Sequence, residues 1–212
     1  MLLAEEFVLL ALDPDGAVAR GSTNQPSAAI GVTGALVAEL ALDGHLDLTD
    51  GRIRLTGTRP ADPLLAQALD NVAPHEGRKL KSRLGSIKHA GWSEVVDAMV
   101  ASGTLGRQKE ALRPTRHPVR DPAAHAALLA RVRAAATSDE PLDARTAVLL
   151  ALSGPCQMLE VVAPTRADRA TAKERIAHAA EQVPAADAVK HVIEATQAAI
   201  IASTAVVVVG ST

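Results

Sequence analysis

Apolar residues recur every three to four positions through most of the chain, and Pro, Gly and polar clusters divide the stretches that keep this period. In LLAEEFVLLALD, Leu3, Phe7 and Leu10 share one helix face, while Glu5 and Glu6 stand near the N-terminus, where the macrodipole favours carboxylates. Asp13-Pro14-Asp15-Gly16 ends that helix. After the polar loop Gly21–Pro26, the run from Ala28 to Leu42 predicts a second helix, with Gly44 as its C-cap. The period then shortens to that of a strand: LDLT and RIRL flank Asp50-Gly51, which reads as the two-residue turn of a hairpin over Leu46–Leu55.

Downstream, Asp62-Pro63, Asp121-Pro122 and Glu140-Pro141 each place a proline at a first helical position, the first two with Asp as N-cap. The pattern predicts helices over 63–73, 78–89, 92–102, 122–136, 141–152, 166–182 and 185–208. In the sixth, Thr165 and Asp168 are spaced like a capping box. Gly103–Pro118 reads as irregular or as a second short hairpin. The fold class is therefore all-α: a compact multi-helix single domain over 1–212 with one or two short β-hairpins. Its most apolar stretch, Ala198–Val209, is twelve residues. A bilayer-spanning helix needs about 20, so this stretch reads as a buried C-terminal helix.

Composition sharpens that picture. Phe7 and Trp92 are the sole aromatic residues, so the core must come from Ala, Leu, Val and Ile at close helix-helix approach. Phe7, Leu10, Leu36, Leu40 and Leu65 are expected to share it. A single cysteine, Cys156, excludes an internal disulfide and suits a reducing compartment. The first dozen residues carry acids and no Lys or Arg, the wrong charge for a signal peptide, and the expected location is cytoplasmic.

Charge is unevenly spread. Between Pro74 and Arg120 there are ten Lys or Arg against four acids, in a chain whose net charge is −2. Such a molecule can turn one basic face to an anionic surface while the remainder stays acidic. The candidate patch comprises Arg78, Lys79, Lys81, Arg83, Lys88, Arg113 and Arg116. A set of solvated helix faces rich in Arg is the plainer alternative.

Catalytic patterns are missing. His117 and His125 lie eight apart, not at the i, i+4 spacing that puts two imidazoles on one helix face, and neither HExxH nor CxxC occurs. Ser153-Gly154-Pro155-Cys156 lacks the G-x-S-x-G frame of a nucleophile elbow, and a helix break beside a buried thiol accounts for it. Gly31-Val32-Thr33-Gly34 lacks the Lys-Ser/Thr end of a phosphate loop and is read as close helix packing. Glu5, Glu6 and Glu39 are assigned to capping or structural pairing. No enzyme activity, cofactor or metal is expected.

The pieces EEFVLLALD, GVTGALVAELALDGHL, DPLLAQALD and VASGTL, in this order, resemble the Golgi phosphoprotein 3 family of phosphoinositide-binding proteins. The likeness is strongest in the first half of the chain, and the Ala-rich, aromatic-poor composition is similar to that of bacterial members. The resemblance implies a non-enzymatic peripheral membrane protein that binds phosphatidylinositol 4-phosphate. In the family a Trp and an Arg near the ELAL helix, and two Arg on the helix before the VL turn, hold the headgroup. Their aligned positions here are Asn24 and Thr33, then His89 and Trp92. None of the three arginines is present, and Asn and Thr supply no charge for a charge-assisted phosphate contact. The expectation is therefore binding governed by general anionic charge. The family's exposed apolar hairpin corresponds here to a segment offering Leu105, Ala111 and Leu112 among four cations, better suited to headgroup contact than to insertion.

The expected partner is an anionic membrane lipid, with the protein peripheral at the membrane; self-association and a protein partner, as for a cytosolic scaffold, stay open. The helix followed by LDLTDGRIRL also resembles a winged-helix wing. Nucleic acid is disfavoured because Ala28–Leu42 carries no Lys or Arg to meet phosphate.

Overall fold

Helix α1 (Leu3–Ala11) crosses α2 (Gln25–Leu42), and α2 is the element around which the molecule is built: α1, α3 (Pro63–Val72), α6 (Ala144–Ser153) and α9 (Ala186–Val209) all pack on it. A second layer joins α5 (Pro122–Thr137) to α6, α7 (Leu159–Val162) and α8 (Arg169–His178), while α4 (Trp92–Ala101) packs on α1. The computed structural model describes residues 1–18, 25–87, 91–109, 115–179 and 186–209, with backbone alone for 25–26, 186–187 and 204–209.

Phe7, Leu10, Leu36, Leu40 and Leu65 belong to one hydrophobic cluster, as composition required. Close approach rests on α2's glycines. A Cβ at Gly31 would stand 2.5 Å from Phe7 Cζ and 2.7 Å from Cys156 Sγ, and one at Gly34 would stand 2.6 Å from Thr196 Oγ1. The GVTG run is thus a packing surface, where any side chain would push α1 or α9 away.

Several boundaries follow the predicted punctuation. Asp62 accepts hydrogen bonds from the Leu64 and Leu65 N–H groups and Asp121 from those of Ala123 and Ala124, so both Asp-Pro pairs open helices. At Glu140-Pro141 the reading was three residues early: Asp143 caps α6 through the Thr146 N–H at 3.0 Å, and the helix begins at Ala144. Burial works to raise the Asp143 carboxyl. The Thr146 hydroxyl and N–H and nearby Arg131 outweigh it and hold that carboxyl below the usual carboxylate range. Thr165 and Asp168 do bond each other, but in a turn ahead of α8, which starts at Arg169.

The predicted helix over 78–89 is absent from the described residues 78–87. Two 3₁₀ turns, Leu80–Ser82 and Leu84–Ser86, take its place. Leu80, Leu84 and Ile87 are buried, which a tight three-residue turn achieves as well as an α-helix does. The Ser82 and Ser86 hydroxyls donate to the carbonyls of Lys79 and Arg83 at 2.9 Å each, competing with α-helical bonding.

The first hairpin is also different in detail. Strands β1 (Leu46–Asp47) and β2 (Arg54–Leu55) pair antiparallel, Leu46 with Leu55 and Asp47 with Arg54. Asp50 and Gly51 adopt the expected positive φ of 57° and 68°. The ladder stops short of them because the Ile53 N–H donates to Arg78 O at 3.0 Å and the Gly77 N–H to Ile53 O at 2.8 Å. Between Gly103 and Pro118 the second hairpin is real at its base, with Gln108 and Arg116 exchanging backbone bonds at 2.9 Å each; its tip lies outside the described residues. Leu105, expected among exposed apolar residues there, is instead in the core.

Glu5, Glu6 and Glu39 are structural, as expected. The Glu5 carboxylate accepts from the Leu2 N–H at 2.7 Å. Glu39, 4% exposed, accepts from the Leu3 N–H and from Arg145 Nη1; Glu6 accepts from Arg145 at 3.1 Å and from Arg131 at 2.6 Å. Four helices, α1, α2, α5 and α6, are tied by this one network.

Helix α9 is only partly the buried helix predicted. Ala199 and Ile200 face inward, whereas Ile201 is 70% exposed, because one side of the helix has no element over it among the described residues. No helix among them is long and apolar enough to cross a membrane.

Candidate functional site

Beside α9, the second arm of the hairpin meets the 3₁₀ turns. The backbone pairing of Ile53 with Gly77 and Arg78, and a bridge between Arg52 and Lys79, carry Arg52 to the basic segment. There Arg52, Arg78, Lys79, Lys81, Ser82 and Arg83 line a shallow hollow of about 430 Å³. Buried Leu80 and Leu84 anchor the turns from below; Lys79 and Lys81 beside them are exposed, whereas Arg83 is partly buried.

Its electrostatics are one-sided. Five cations surround the hollow, and none of them has a carboxylate partner among the described residues; the ion pairs seen elsewhere use Arg54, Arg59, Arg107, Arg131, Arg145 and Arg169. Arg52 spends one N–H on Gly77 O at 2.8 Å, and Arg83 Nε is buried with no acceptor among the described residues. The guanidinium groups keep most of their donors for an incoming anion.

The structure divides the predicted patch. Arg78, Lys79, Lys81 and Arg83 come together here, Lys88 and Arg113 lie outside the described residues, and Arg116 stands in a different cleft. That cleft, about 500 Å³, is walled by Trp92 at the start of α4, by Leu12 and Val18 after α1, and by Arg116 and His117. Trp92 is half-buried against the core. Thr33 is 4% exposed and its hydroxyl donates to Ala29 O of its own helix at 3.1 Å, so it does not line the Trp92 cleft. Asn24 and His89 lie outside the described residues. Arg52 was missed in the sequence, because its neighbours come from 25 and more residues away through backbone pairing that no local pattern announces.

Two residues with catalytic potential, His125 and Cys156, are otherwise engaged. His125 is buried and bonds Leu9 O through Nε2 at 3.0 Å. Cys156 is buried, its thiol points to Ser27 O at 3.6 Å, and burial pushes its pKa up to about 12. Native protein at pH 8 is accordingly expected to resist iodoacetamide and to react fully once unfolded in urea; rapid alkylation of the native state, read by mass spectrometry, would contradict this burial. Among the described residues no three of His, Cys, Asp or Glu stand together as a metal site.

A family model described as Golgi phosphoprotein 3 (GPP34) matches residues 3–196. The chain belongs to that family. No curated protein matches it. The matched span includes the basic hollow and the Trp92 cleft alike, so both are built from the family's own scaffold. Membership agrees with the mostly helical architecture and suggests a Golgi phosphoprotein 3-like, lipid-binding type.

Proposed function

We propose that this chain is a non-enzymatic, cytoplasmic, peripheral membrane protein that binds anionic lipid through general charge, without selecting phosphatidylinositol 4-phosphate. The observation that carries the reading is the hollow of Arg52, Arg78, Lys79, Lys81 and Arg83, which has no acid to neutralise it among the described residues. Each such cation near an anionic leaflet contributes about 1 kcal/mol, so five acting together favour adsorption where one would not. Family membership supports a lipid surface as the target. The burial of Thr33 supports the loss of headgroup selectivity, since a hydroxyl turned into its own helix cannot read a phosphate.

Vesicle co-sedimentation tests it. Vesicles matched in surface charge are expected to bind comparably whether the charge comes from phosphatidylserine or from any phosphatidylinositol phosphate, with affinity falling steeply with salt as the Debye length drops from about 10 Å at 0.1 M to 3 Å at 1 M. Reversal of Arg78, Lys79, Lys81 and Arg83 to Glu should abolish binding. Because Arg83 is partly buried, Lys79→Glu with Lys81→Glu, both at exposed positions, is the safer variant and should cost about tenfold or more. Trp92→Ala should change binding modestly. Selective, salt-resistant binding of phosphatidylinositol 4-phosphate that Trp92→Ala destroys would overturn the reading in favour of the Trp92 cleft. Salt-dependent binding to DNA but not to vesicles would replace the lipid with nucleic acid.

A further inference from the structure

The basic hollow does not end at Lys81 and Ser82. The same two residues form the rim of a second, larger groove, about 690 Å³, between the start of α2, the two 3₁₀ turns and α9. Its walls are small and mostly apolar: Ala29 and Ile30 on one side, Gly85 below, and Ala198, Ala199 and Ala202 on the other. Space exists here because no wall residue but Ile30 carries a branched side chain, and because Gly85 has no Cβ to project toward α9. A Cβ at Gly85 would already touch Ala199 Cβ at 3.3 Å. Among the described residues no acid lines either compartment.

We propose that the two compartments form one amphiphile site: the phosphate of a lipid rests among Arg52, Arg78, Lys79, Lys81 and Arg83, and one acyl chain leaves the leaflet to lie in the alanine groove. Charge complementarity fixes which end goes where. A phosphate meets guanidinium and ammonium donors in the hollow, and Lys81, whose alkyl stem can lie along apolar surface while its ammonium stays wet, is the hinge between the two halves. Both volumes fall within the range of about 300–1,000 Å³ usual for small-ligand sites. The proposal rests on the anionic-lipid reading and adds to it a single-molecule site with an apolar component. Burial of each methylene is worth about fourfold in affinity, so a chain that buries several should bind far more tightly than its headgroup alone.

The test is calorimetric titration of the full chain with dodecyl phosphate below its micelle concentration, alongside inorganic phosphate and dodecyl maltoside. Dodecyl phosphate is expected to bind at one site, roughly fiftyfold or more tightly than inorganic phosphate, with a negative heat-capacity change that marks apolar burial. Dodecyl maltoside, which carries the chain without the charge, should bind more weakly than dodecyl phosphate. Ala202→Phe, at an exposed wall position, should fill the groove and weaken dodecyl phosphate about tenfold while leaving phosphate unchanged. Ala198→Leu, one turn back on the same wall, should act in the same direction and guards against a folding defect in the first variant. Equal affinity for phosphate and dodecyl phosphate, equal affinity for the maltoside, or folded groove variants that bind as well as the parent would each overturn the proposal. If vesicles still bind in a salt-dependent manner in that case, the charge reading stands and the acyl-chain site alone is lost. If vesicle binding is absent too, both fall.

Discussion

Leu40→Ala is expected to remove about 2–5 kcal/mol of folding stability, a large part of the roughly 5–15 kcal/mol that holds a typical domain together. Leu40 is fully buried on α2, the helix that touches α1, α3, α6 and α9, so truncation opens a cavity in the packing of the central helix. The core offers little else to absorb the loss, since Phe7 is its one fully buried aromatic side chain and Ala supplies much of the remainder. Urea melts measure the effect through the shift in midpoint at unchanged slope. A loss under about 1 kcal/mol would place Leu40 at a surface instead and would undo the central role of α2.

Glu39→Ala should be nearly as damaging for a different reason. Its carboxylate receives the Leu3 N–H with one oxygen and Arg145 Nη1 with the other, at 4% exposure. Truncation leaves a donor of α1's first turn unsatisfied and Arg145 with Glu6 as its remaining carboxylate. Breaking a buried pair from one side costs about 3–5 kcal/mol; the lower end is expected here, since Arg145 keeps access to water. Glu39→Gln, which keeps an acceptor for Leu3, should cost less. Combined with Arg145→Met, the Ala variant should lose much less than the two single losses added together, because each removes the same interaction. Strict additivity in the melts, or a loss under about 1 kcal/mol for Glu39→Ala, would show that this network does not tie the helices.

Much of the helical frame is legible in the chain because its signals are local. Asp62-Pro63 and Asp121-Pro122 begin helices for a reason contained in four consecutive residues: a carboxylate meets the first free N–H groups and a proline needs no donor at that position. Gly44 ends α2 at a φ of 76°, which a residue without a Cβ adopts freely, and the His45 N–H closes the cap on Leu40 O at 2.8 Å. Glu140-Pro141 carries the same kind of signal and misleads, since Asp143 is a competing cap and its bond to Thr146 lies beside the Arg131 and Arg145 network.

The site divides in the same manner. Four of the hollow's cations stand within six residues of one another and declare a basic segment, whereas its shape depends on whether that segment is helix or paired turns. Leu80, Leu84 and Ile87 satisfy either form. Sequence alone thus determined the mostly helical frame, the caps at Asp62, Asp121 and Gly44, the Leu/Ala core, the family and the concentration of positive charge between Pro74 and Arg120. Tertiary structure alone decided that residues 80–86 form 3₁₀ turns under α9, that Arg52 joins them through the Ile53–Arg78 bond, that Arg116 faces elsewhere, and that Thr33 is turned inward. The reason is range: caps and helical period are settled within a few residues, while pairing between distant backbones depends on which surfaces the packed helices leave free to meet.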